Sequence, residues 1–282
     1  MSSRVTIISV SFNSEAVLGN MLASVPADTH VVVVDNQSDD GSAAIAAAAG
    51  ATVIHQASNL GFGNSCNSGA VQTTTDYLFF LNPDAVLRND AVQSLVSFMD
   101  AHPAASACNP KIVNANGKPA FKRSSTLLPK AQWAPRGWPP TSQEIGVLSG
   151  AALFVRRNAF EAVGGFDPKI FLYHEDDDLS LRLRREIGPL MFVADALVEH
   201  LEGRSSARSA NIAAWKSFHL ARSRIYAMRK HHLPGAFSSS LSEAILKCLS
   251  PLTLISSRKR AQAFGFLKGV LSARRATDAA RV

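Results

Sequence analysis

The chain has 282 residues, of which 46% are hydrophobic and 18% charged, with 17 Gly and 13 Pro. This composition excludes a wholly disordered or collagen-like chain, and the three scattered cysteines, Cys66, Cys108 and Cys248, exclude a disulfide framework or a paired-cysteine metal site and fit a reducing compartment. The net charge of +7 is uneven: residues 1–200 hold 14 Lys/Arg against 19 Asp/Glu, and residues 201–282 hold 15 against 3.

Met1-Ser2-Ser3-Arg4 lacks the layout of a signal peptide. Val5 to Phe12 reads as a strand and residues 15–24 as a helix. Val31-Val32-Val33-Val34 is an apolar run suited to a strand buried on both faces. A helix over 42–49, a strand over Ala51–His55, a helix over 64–74, a strand over Tyr77–Leu81 and a helix over 89–100 follow. Strand alternating with helix predicts a mostly parallel sheet. Residues 109–145, with six prolines and Trp133 and Trp138, read as extended loops and edge strands. Regular structure returns at Val147–Arg156. Beyond 211 three helices are expected, near 212–230, 240–249 and 258–274. In the last, Ala263, Phe264, Phe266, Leu267, Val270 and Leu271 form an apolar stripe among Arg258, Lys259, Arg260, Lys268, Arg274 and Arg275. The longest apolar run, Gly146–Val155, is about half of the ~20 residues a membrane-spanning helix needs. A cytoplasmic location is expected, with the inner face of the plasma membrane left open.

Five segments carry candidate chemistry. Val34-Asp35-Asn36-Gln37-Ser38-Asp39-Asp40-Gly41-Ser42 places a carboxylate at the carboxyl end of a parallel strand, where open α/β sheets bind ligands. It equally describes a polar turn with Ser38 or Asp39 capping the next helix. Asn59-Leu60-Gly61-Phe62-Gly63-Asn64-Ser65-Cys66-Asn67-Ser68-Gly69 opens a helix with glycines, so backbone N–H groups can face a phosphate; its spacing is not the dinucleotide fingerprint, and Asn64 serves equally as a helix cap. Leu81-Asn82-Pro83-Asp84 ends a strand on a carboxylate, which suits either a hard cation shared with substrate phosphates or an Asx-Pro turn. Tyr173 to Arg182 lines up four carboxylates, Glu175 to Asp178. Their repulsion raises proton affinity, as a general base requires, and they also suit the first turn of a helix. His200-Leu201-Glu202-Gly203-Arg204-Ser205 offers an imidazole for a metal or phosphate, or a structural histidine.

In this order the segments resemble inverting nucleotide-sugar glycosyltransferases of family 2, which have the GT-A fold. The likeness spans roughly residues 4–206. It rests on Ser11-Phe12-Asn13, Asp35-Asn36 with Gly41-Ser42, Asn59-x-Gly61-Phe62, Asn67-x-Gly69, Asn82-Pro83-Asp84, Ser149-Gly150-Ala151-Ala152, Gly164-Gly165-Phe166-Asp167, Tyr173-x-Glu175-Asp176-x-Asp178-Leu179 and His200. Within the family it is most similar to the rhamnosyltransferase-type branch, whose metal motif reads Asn-Pro-Asp.

The resemblance implies an α/β architecture. Residues 1–100 would form a Rossmann-like nucleotide-sugar-binding half with a mostly parallel sheet, and 101–210 a mixed acceptor half. Residues 211–282 would form a basic helical C-terminal region. It implies that Asp35, with Asn36 and the Phe12 neighbourhood, holds base and ribose, and that Asn59, Gly61, Phe62 and Asn67 line the nucleotide pocket. Asn82-Pro83-Asp84 would stand in for the Asp-x-Asp motif. Asp84 would bind Mg²⁺ or Mn²⁺ bridging the diphosphate, with His200 assisting. Asp176 would be the general base, beside Glu175, and Gly150 would leave room for sugar and acceptor. The implied partners are a nucleoside-diphosphate sugar, dTDP-rhamnose or a UDP-sugar, and a glycan or lipid-linked glycan acceptor.

The basic tail fits an anionic membrane face, through peripheral contact by 211–282, or helices with solvated charges, or a dimer interface. Trp133 and Trp138 suit either stacking over an acceptor sugar or filling a surface loop. Two other function classes compete. A nucleotide-sugar-forming nucleotidyltransferase should carry a Gly-rich, basic phosphate loop, and Ser11 to Ala16 has none. A non-catalytic nucleotide- or glycan-binding module is the other. No nucleic-acid motif is present, so no nucleic-acid partner is expected.

Overall fold

The computed structural model describes residues 4–201 and 209–278, with side chains through 274. Met1–Ser3, Glu202 to Ser205 of the last motif and the Arg275 side chain lie outside the described residues. The chain divides into two units, Met1–Asp167 with Asp176–Ser206, and Pro168–Glu175 with Ala207–Val282.

In the first unit the central strand is β1 (Val5–Ser11), whose residues are all buried, as a strand covered on both faces requires. β2 (His30–Asp35) and β4 (Tyr77–Leu81) flank it, and β3 (Thr52–His55) lies beyond β2; all four run parallel. Helices α1 (Glu15–Ala23), α2 (Ser42–Ala48) and α3 (Phe62–Ala70) connect them. Leu18 and Met21 of α1 pack with Ile7, Val33 and Phe79 on one face. Cys66 of α3 packs with Ile8, Val34 and Phe80 on the other. Gly69 permits this approach: a Cβ there would stand 2.6 Å from Ile8 Cγ2 and 3.2 Å from Val34 Cγ2.

Two local expectations need correction. α3 begins two residues before the expected 64 and stops at Ala70. Gly61, at φ 81°, starts it, and Asn64 is no cap but donates to Leu60 O (3.0 Å) within the first turn. The helix stops because Thr73 and Thr75 commit their hydroxyls to Thr6 (2.5 and 2.9 Å), which draws the chain into β4. α2 is capped by neither Ser38 nor Asp39; Asp40 accepts from the Ser42 amide (3.0 Å).

Beyond β4 come β5 (Ala85–Arg88), α4 (Ala91–Ala101), β6 (Ala107–Asn114), β7 (Gln143–Ile145), β8 (Ala152–Arg156), α5 (Arg157–Ala162), α6 (Glu175–Glu186) and β9 (Leu190–His200). Among the described residues one sheet runs β3-β2-β1-β4-β8-β6-β9-β5, with β7 also on β9. β8 is antiparallel to both β4 and β6, β6 is parallel to β9, and β5 and β7 are antiparallel to β9. A parallel first half thus joins a mixed second half, the fold class expected. The stretch from 109 departs from its reading as loops and edge strands, because β6 is an interior strand carrying Pro110. Proline lacks the donor a ladder needs, and the register shifts between Pro110 and Lys111.

The second unit contains α7 (Ala210–Lys230), α8 (Ala236–Leu249), α9 (Leu252–Ile255) and α10 (Ser257–Asp278). α7 and α10 approach through glycine: a Cβ at Gly265 would stand 2.2 Å from Ala214 O, and one at Gly269 2.3 Å from Phe218 O. Residues 168–175 belong with these helices, through Phe171 against Trp215 and His219 and through Ser223 Oγ donating to Leu172 O (2.8 Å). No helix of the described residues is long and apolar enough to cross a membrane.

Candidate active site

Parallel strands deliver their carboxyl ends to one edge of the sheet, and two acidic residues stand there. Asp35 is the last residue of β2, and Asp84 follows β4 by three residues. Asp35 is 6% exposed and Asp84 2%. Among the described residues, Asp35 Oδ1 and Asp84 Oδ2 are each buried without a hydrogen-bond partner. A buried polar atom left unpaired costs about 1–3 kcal/mol, more when charged. Two carboxylate oxygens at one edge make it the candidate ligand site.

Around Asp35 the loops are cross-braced. Asn13 N donates to Ser38 Oγ (3.0 Å), Asp39 N to Asn13 Oδ1 (2.8 Å), and Glu15 N to Asp40 Oδ2 (3.0 Å). Burial works against the Asp40 charge, but bonds from Ser42 and from backbone amides hold its carboxyl below the usual range. Asn36 Nδ2 donates to Asn59 Oδ1 (2.9 Å), while Asn36 Oδ1 accepts from Leu60 N (2.9 Å) and Asn59 Oδ1 from Gly61 N (3.0 Å). Asn36 and Asn59 thus shape the 59–61 turn. Phe12, 38% exposed, presents its ring beside the end of β1.

Asn82, Asp84 and His200 come together from the ends of β4 and β9. His200 Nε2 lies 3.0 Å from Asp84 Oδ1 and 3.3 Å from Asn82 Nδ2. One nitrogen cannot donate to the carboxylate and accept from the amide at once; with the ring proton on Nδ1, Nε2 would offer its lone pair to a cation beside Asp84. Among the described residues no three His, Cys, Asp or Glu converge as a metal site. Asp84 and His200 nevertheless fit a hard divalent ion completed by substrate phosphates, the usual magnesium arrangement, and the orphaned Asp84 Oδ2 supplies the unmatched negative charge.

The acidic run on α6 is sorted by its partners. Asp176 Oδ2 accepts from Gly150 N (2.8 Å) and pairs with Lys122 Nζ (2.7 Å); Lys122 also reaches Asp177 Oδ1 (2.9 Å). Buried Asp178 is bound by Arg182 (2.8 Å), whose Nη1 donates to Val163 O (2.7 Å). Glu175, the first residue of α6, is buried, and its charge adds to burial in pushing up the Tyr173 phenol. The expected uncompensated crowding is therefore corrected, because cations sit among the acids. Burial disfavours the Lys122 charge, but Asp176 and Asp177 outweigh it and hold the ammonium above the ordinary lysine range. Lys122 lies 54 residues from Asp176 in a proline-rich stretch, and no sequence pattern singles it out. A Cβ on Gly150 would meet Asp176 Oδ2 at 3.4 Å and Phe62 Cε1 at 3.6 Å, so Gly150, Phe62 and Asp176 border one space.

One expectation differs from what is found, and one open alternative is decided. Asn67 does not present its amide to a pocket: Nδ2 donates to Phe166 O (2.8 Å) and Oδ1 accepts from Phe166 N (2.9 Å), clamping α3 to the Gly164-Gly165-Phe166 turn. Trp133 and Trp138 are half-buried and donate their indole N–H groups to Leu128 O (3.3 Å) and Ile112 O (3.0 Å), so they fill the loop. A polar cavity of about 310 Å³ opens at the other end of β4, lined by Arg4, Tyr77, Asp100 and Arg156 among others. Its charges satisfy one another: Arg4 pairs with Asp76 and Asp100 (both 2.7 Å), and Tyr77 donates to Asp100 (2.7 Å).

A family model described as glycosyl transferase family 2 matches residues 6–164, more than half of the chain. The chain belongs to glycosyl transferase family 2. This family 2 enzyme is 28% identical over 243 residues to the N-acetylglucosaminyl-diphospho-decaprenol L-rhamnosyltransferase of Mycobacterium tuberculosis, covering 74% of this chain and 79% of the relative. It is 24% identical over 195 residues to the low-salt glycan biosynthesis hexosyltransferase Agl10 of Haloferax volcanii, covering 64% and 62%. Among solved structures, the mannosyltransferase PcManGT of Pyrobaculum calidifontis, in complex with GDP-Man and Mn²⁺, superposes with a TM-score of 0.59 at 17% identity, covering 98% of this chain and 75% of that one. S. aureus TarS 1-349 in complex with UDP-GlcNAc gives 0.57 at 16%, covering 96% and 92%; against the longer TarS chain this protein spans 43%. At these identities the structural likeness establishes the fold. The sequence likeness makes the enzyme a rhamnosyltransferase-like glycosyltransferase, and the nucleotidyltransferase and non-catalytic alternatives are set aside.

Proposed function

We propose that this family 2 enzyme transfers a hexose, L-rhamnose from dTDP-rhamnose in the first instance, to a hydroxyl of a lipid-linked glycan with inversion at the anomeric carbon. The observation that carries the reading is the pair of buried carboxylate oxygens without partners among the described residues, Asp35 Oδ1 and Asp84 Oδ2, at one edge of one sheet. Asp35 Oδ1 accepts from the nucleoside. Asp84 and His200 Nε2 hold Mg²⁺ or Mn²⁺, which supplies charge neutralisation for the departing diphosphate when bound. Phe62 and Gly150 bound the space for the transferred sugar.

Asp176 acts as base. Its Oδ2 is occupied by Lys122 and Gly150 N, and among the described residues its Oδ1 accepts only from Asp177 N (2.9 Å), which leaves a lone pair on Oδ1 for the acceptor hydroxyl. As the acceptor oxygen bonds to the anomeric carbon, its proton passes to Asp176. The bond to the diphosphate breaks with its electron pair leaving on phosphate oxygen. Proton transfer by a placed carboxylate contributes typically 10²–10⁴-fold. Positioning and electrostatics supply the remainder. The similarity to a relative named for a diphospho-decaprenol acceptor supports the lipid-linked acceptor class.

A donor panel tests the reading: dTDP-rhamnose, UDP-glucose, UDP-N-acetylglucosamine and GDP-mannose, with Mg²⁺, Mn²⁺ or chelator, following nucleoside diphosphate release. Release from dTDP-rhamnose that needs the cation and is lost in Asp84→Ala is expected. Equal release in chelator, or from Asp84→Ala, refutes the cation site. Turnover of a different donor alone refutes the rhamnosyl assignment.

A further inference from the structure

The second unit displays apolar side chains on an outer corner. α8 buries Ala236, Ser240 and Ala244 and leaves Leu246 and Leu249 exposed. The short α9 follows, with Leu254 and Ile255 80% and 82% exposed and Leu252 also outward. Thr253 Oγ1 donates to Ser250 O (2.7 Å), and Arg260 Nη1 donates to Thr253 O (3.0 Å), so α9 is pinned between α8 and α10 with its leucines outward. α10 turns Ala263, Phe266, Val270 and Ala273 inward. Its outer face carries exposed Phe264 and Leu271, interleaved at helical spacing with Arg260 and Lys268.

Charge decides what covers this corner. Residues 236–274 contain six Lys/Arg and one acid, Glu243, which is already paired with Arg224 and Lys247. A symmetric contact with a second copy would set these like charges against each other. We propose that this corner docks on an anionic phospholipid bilayer, with Leu252, Leu254 and Ile255 entering the headgroup–acyl boundary. Arg258, Lys259 and Lys268 meet the lipid phosphates there. Long basic side chains beside an apolar apex suit that boundary, because their stems lie along hydrocarbon while their charges stay wet. The inference rests only on the second unit and is independent of the donor reading.

Co-sedimentation of the full chain with phosphatidylcholine vesicles, with and without phosphatidylglycerol, tests it. Binding is expected to require phosphatidylglycerol and to weaken with salt. Arg258→Gln/Lys259→Gln/Lys268→Gln, all solvent-exposed, is expected to weaken binding about 100-fold. Leu254→Ser/Ile255→Ser is expected to weaken it by at least ~100-fold. Nucleotide-sugar binding by both variants stays at the wild-type level, so a failed donor panel and a failed vesicle assay are read separately. Absence of wild-type binding, binding that survives both variants, or a wild-type dimer that Leu254→Ser/Ile255→Ser dissolves would overturn the proposal.

Discussion

Lys122→Met removes the cation between Asp176 and Asp177 while keeping most of the side-chain volume. The ammonium lies 2.7 and 2.9 Å from the two carboxylate oxygens. At an effective dielectric of about 20, each contact is worth about 6 kcal/mol before desolvation. The lysine side chain is 24% exposed, and its own desolvation opposes the pair. The net loss on breaking the bridge falls to about 2–3 kcal/mol. The sign of the pH effect follows from reciprocity. Lys122 is held above the ordinary lysine range because ammonium and carboxylates stabilise one another, so its contribution is complete below about pH 10.4 and is lost as pH rises past that. Without the ammonium the two carboxylates repel, and the pair takes up a proton at higher pH than in the wild type. The acid limb of the kcat/KM profile should therefore move to higher pH. Lys122→Arg should move it much less. The assay is a pH–rate series on all three proteins, with urea unfolding at neutral pH. An acid limb and an unfolding midpoint both unchanged in Lys122→Met would refute the bridging role.

The other predictions separate site from scaffold. Asp176→Asn should fold, with part of the bridge energy lost because Lys122 keeps Asp177, and lose 10²–10⁴-fold in turnover; wild-type turnover removes the base assignment. Asp84→Asn should abolish cation-dependent release yet leave stability equal or raised by up to about 1 kcal/mol, since it replaces a buried charge whose Oδ2 lacks a partner; clear destabilisation in urea would make Asp84 a structural residue. Gly69→Ala should cost about 1–3 kcal/mol, because its Cβ would meet Ile8 at 2.6 Å, and a neutral result would mean that α3 can shift off the sheet. Gly265→Ala should weaken the second unit by at least as much, because its Cβ would meet the backbone oxygen of Ala214 rather than a movable side chain; partial unfolding followed by helix-sensitive dichroism reads it.

How legible this was in sequence depends on where the physical cause lies. β2 and β4 carry the continuous apolar runs Val31–Val34 and Tyr77–Leu81, so their burial is written in the local string. β9 escapes that pattern. It pairs with β6 through Met191–Val193 and again from Leu197, and Ala194 to Ala196 fall in the register shift, so Asp195 breaks the apolar alternation inside a real strand. β6 hides because Pro110 argues locally against an interior strand, and only the shift in pairing accommodates it. The ends of β2 and β4 were readable because a carboxylate directly after an apolar run is a local signal. Lys122 and the Asn67 clamp were not, since their partners lie 54 and 99 residues away and nothing near either residue announces the contact.

The acids of this chain differ less in residue type than in what holds them. Asp100 accepts from Arg4 and Tyr77, which hold its carboxyl below the usual range, and it braces the start of β4. Asp178 lies against Arg182 inside α6. Both are complete within the chain, so their contribution is to folding. Asp176 is intermediate: Lys122 and Gly150 fix one oxygen and leave the other a lone pair. Among the described residues Asp35 and Asp84 each keep a buried oxygen without a partner, at the ends of β2 and β4 on either side of β1, where a scaffold could have used a neutral residue. Anything that binds the folded state alone stabilises it in proportion to the logarithm of its concentration over Kd. On the proposed reading, the instability accepted at these two positions is the counterpart of affinity for a nucleotide and its cation. That is the physical reason to place the donor at this edge and not in the self-satisfied cavity at the opposite end of β4.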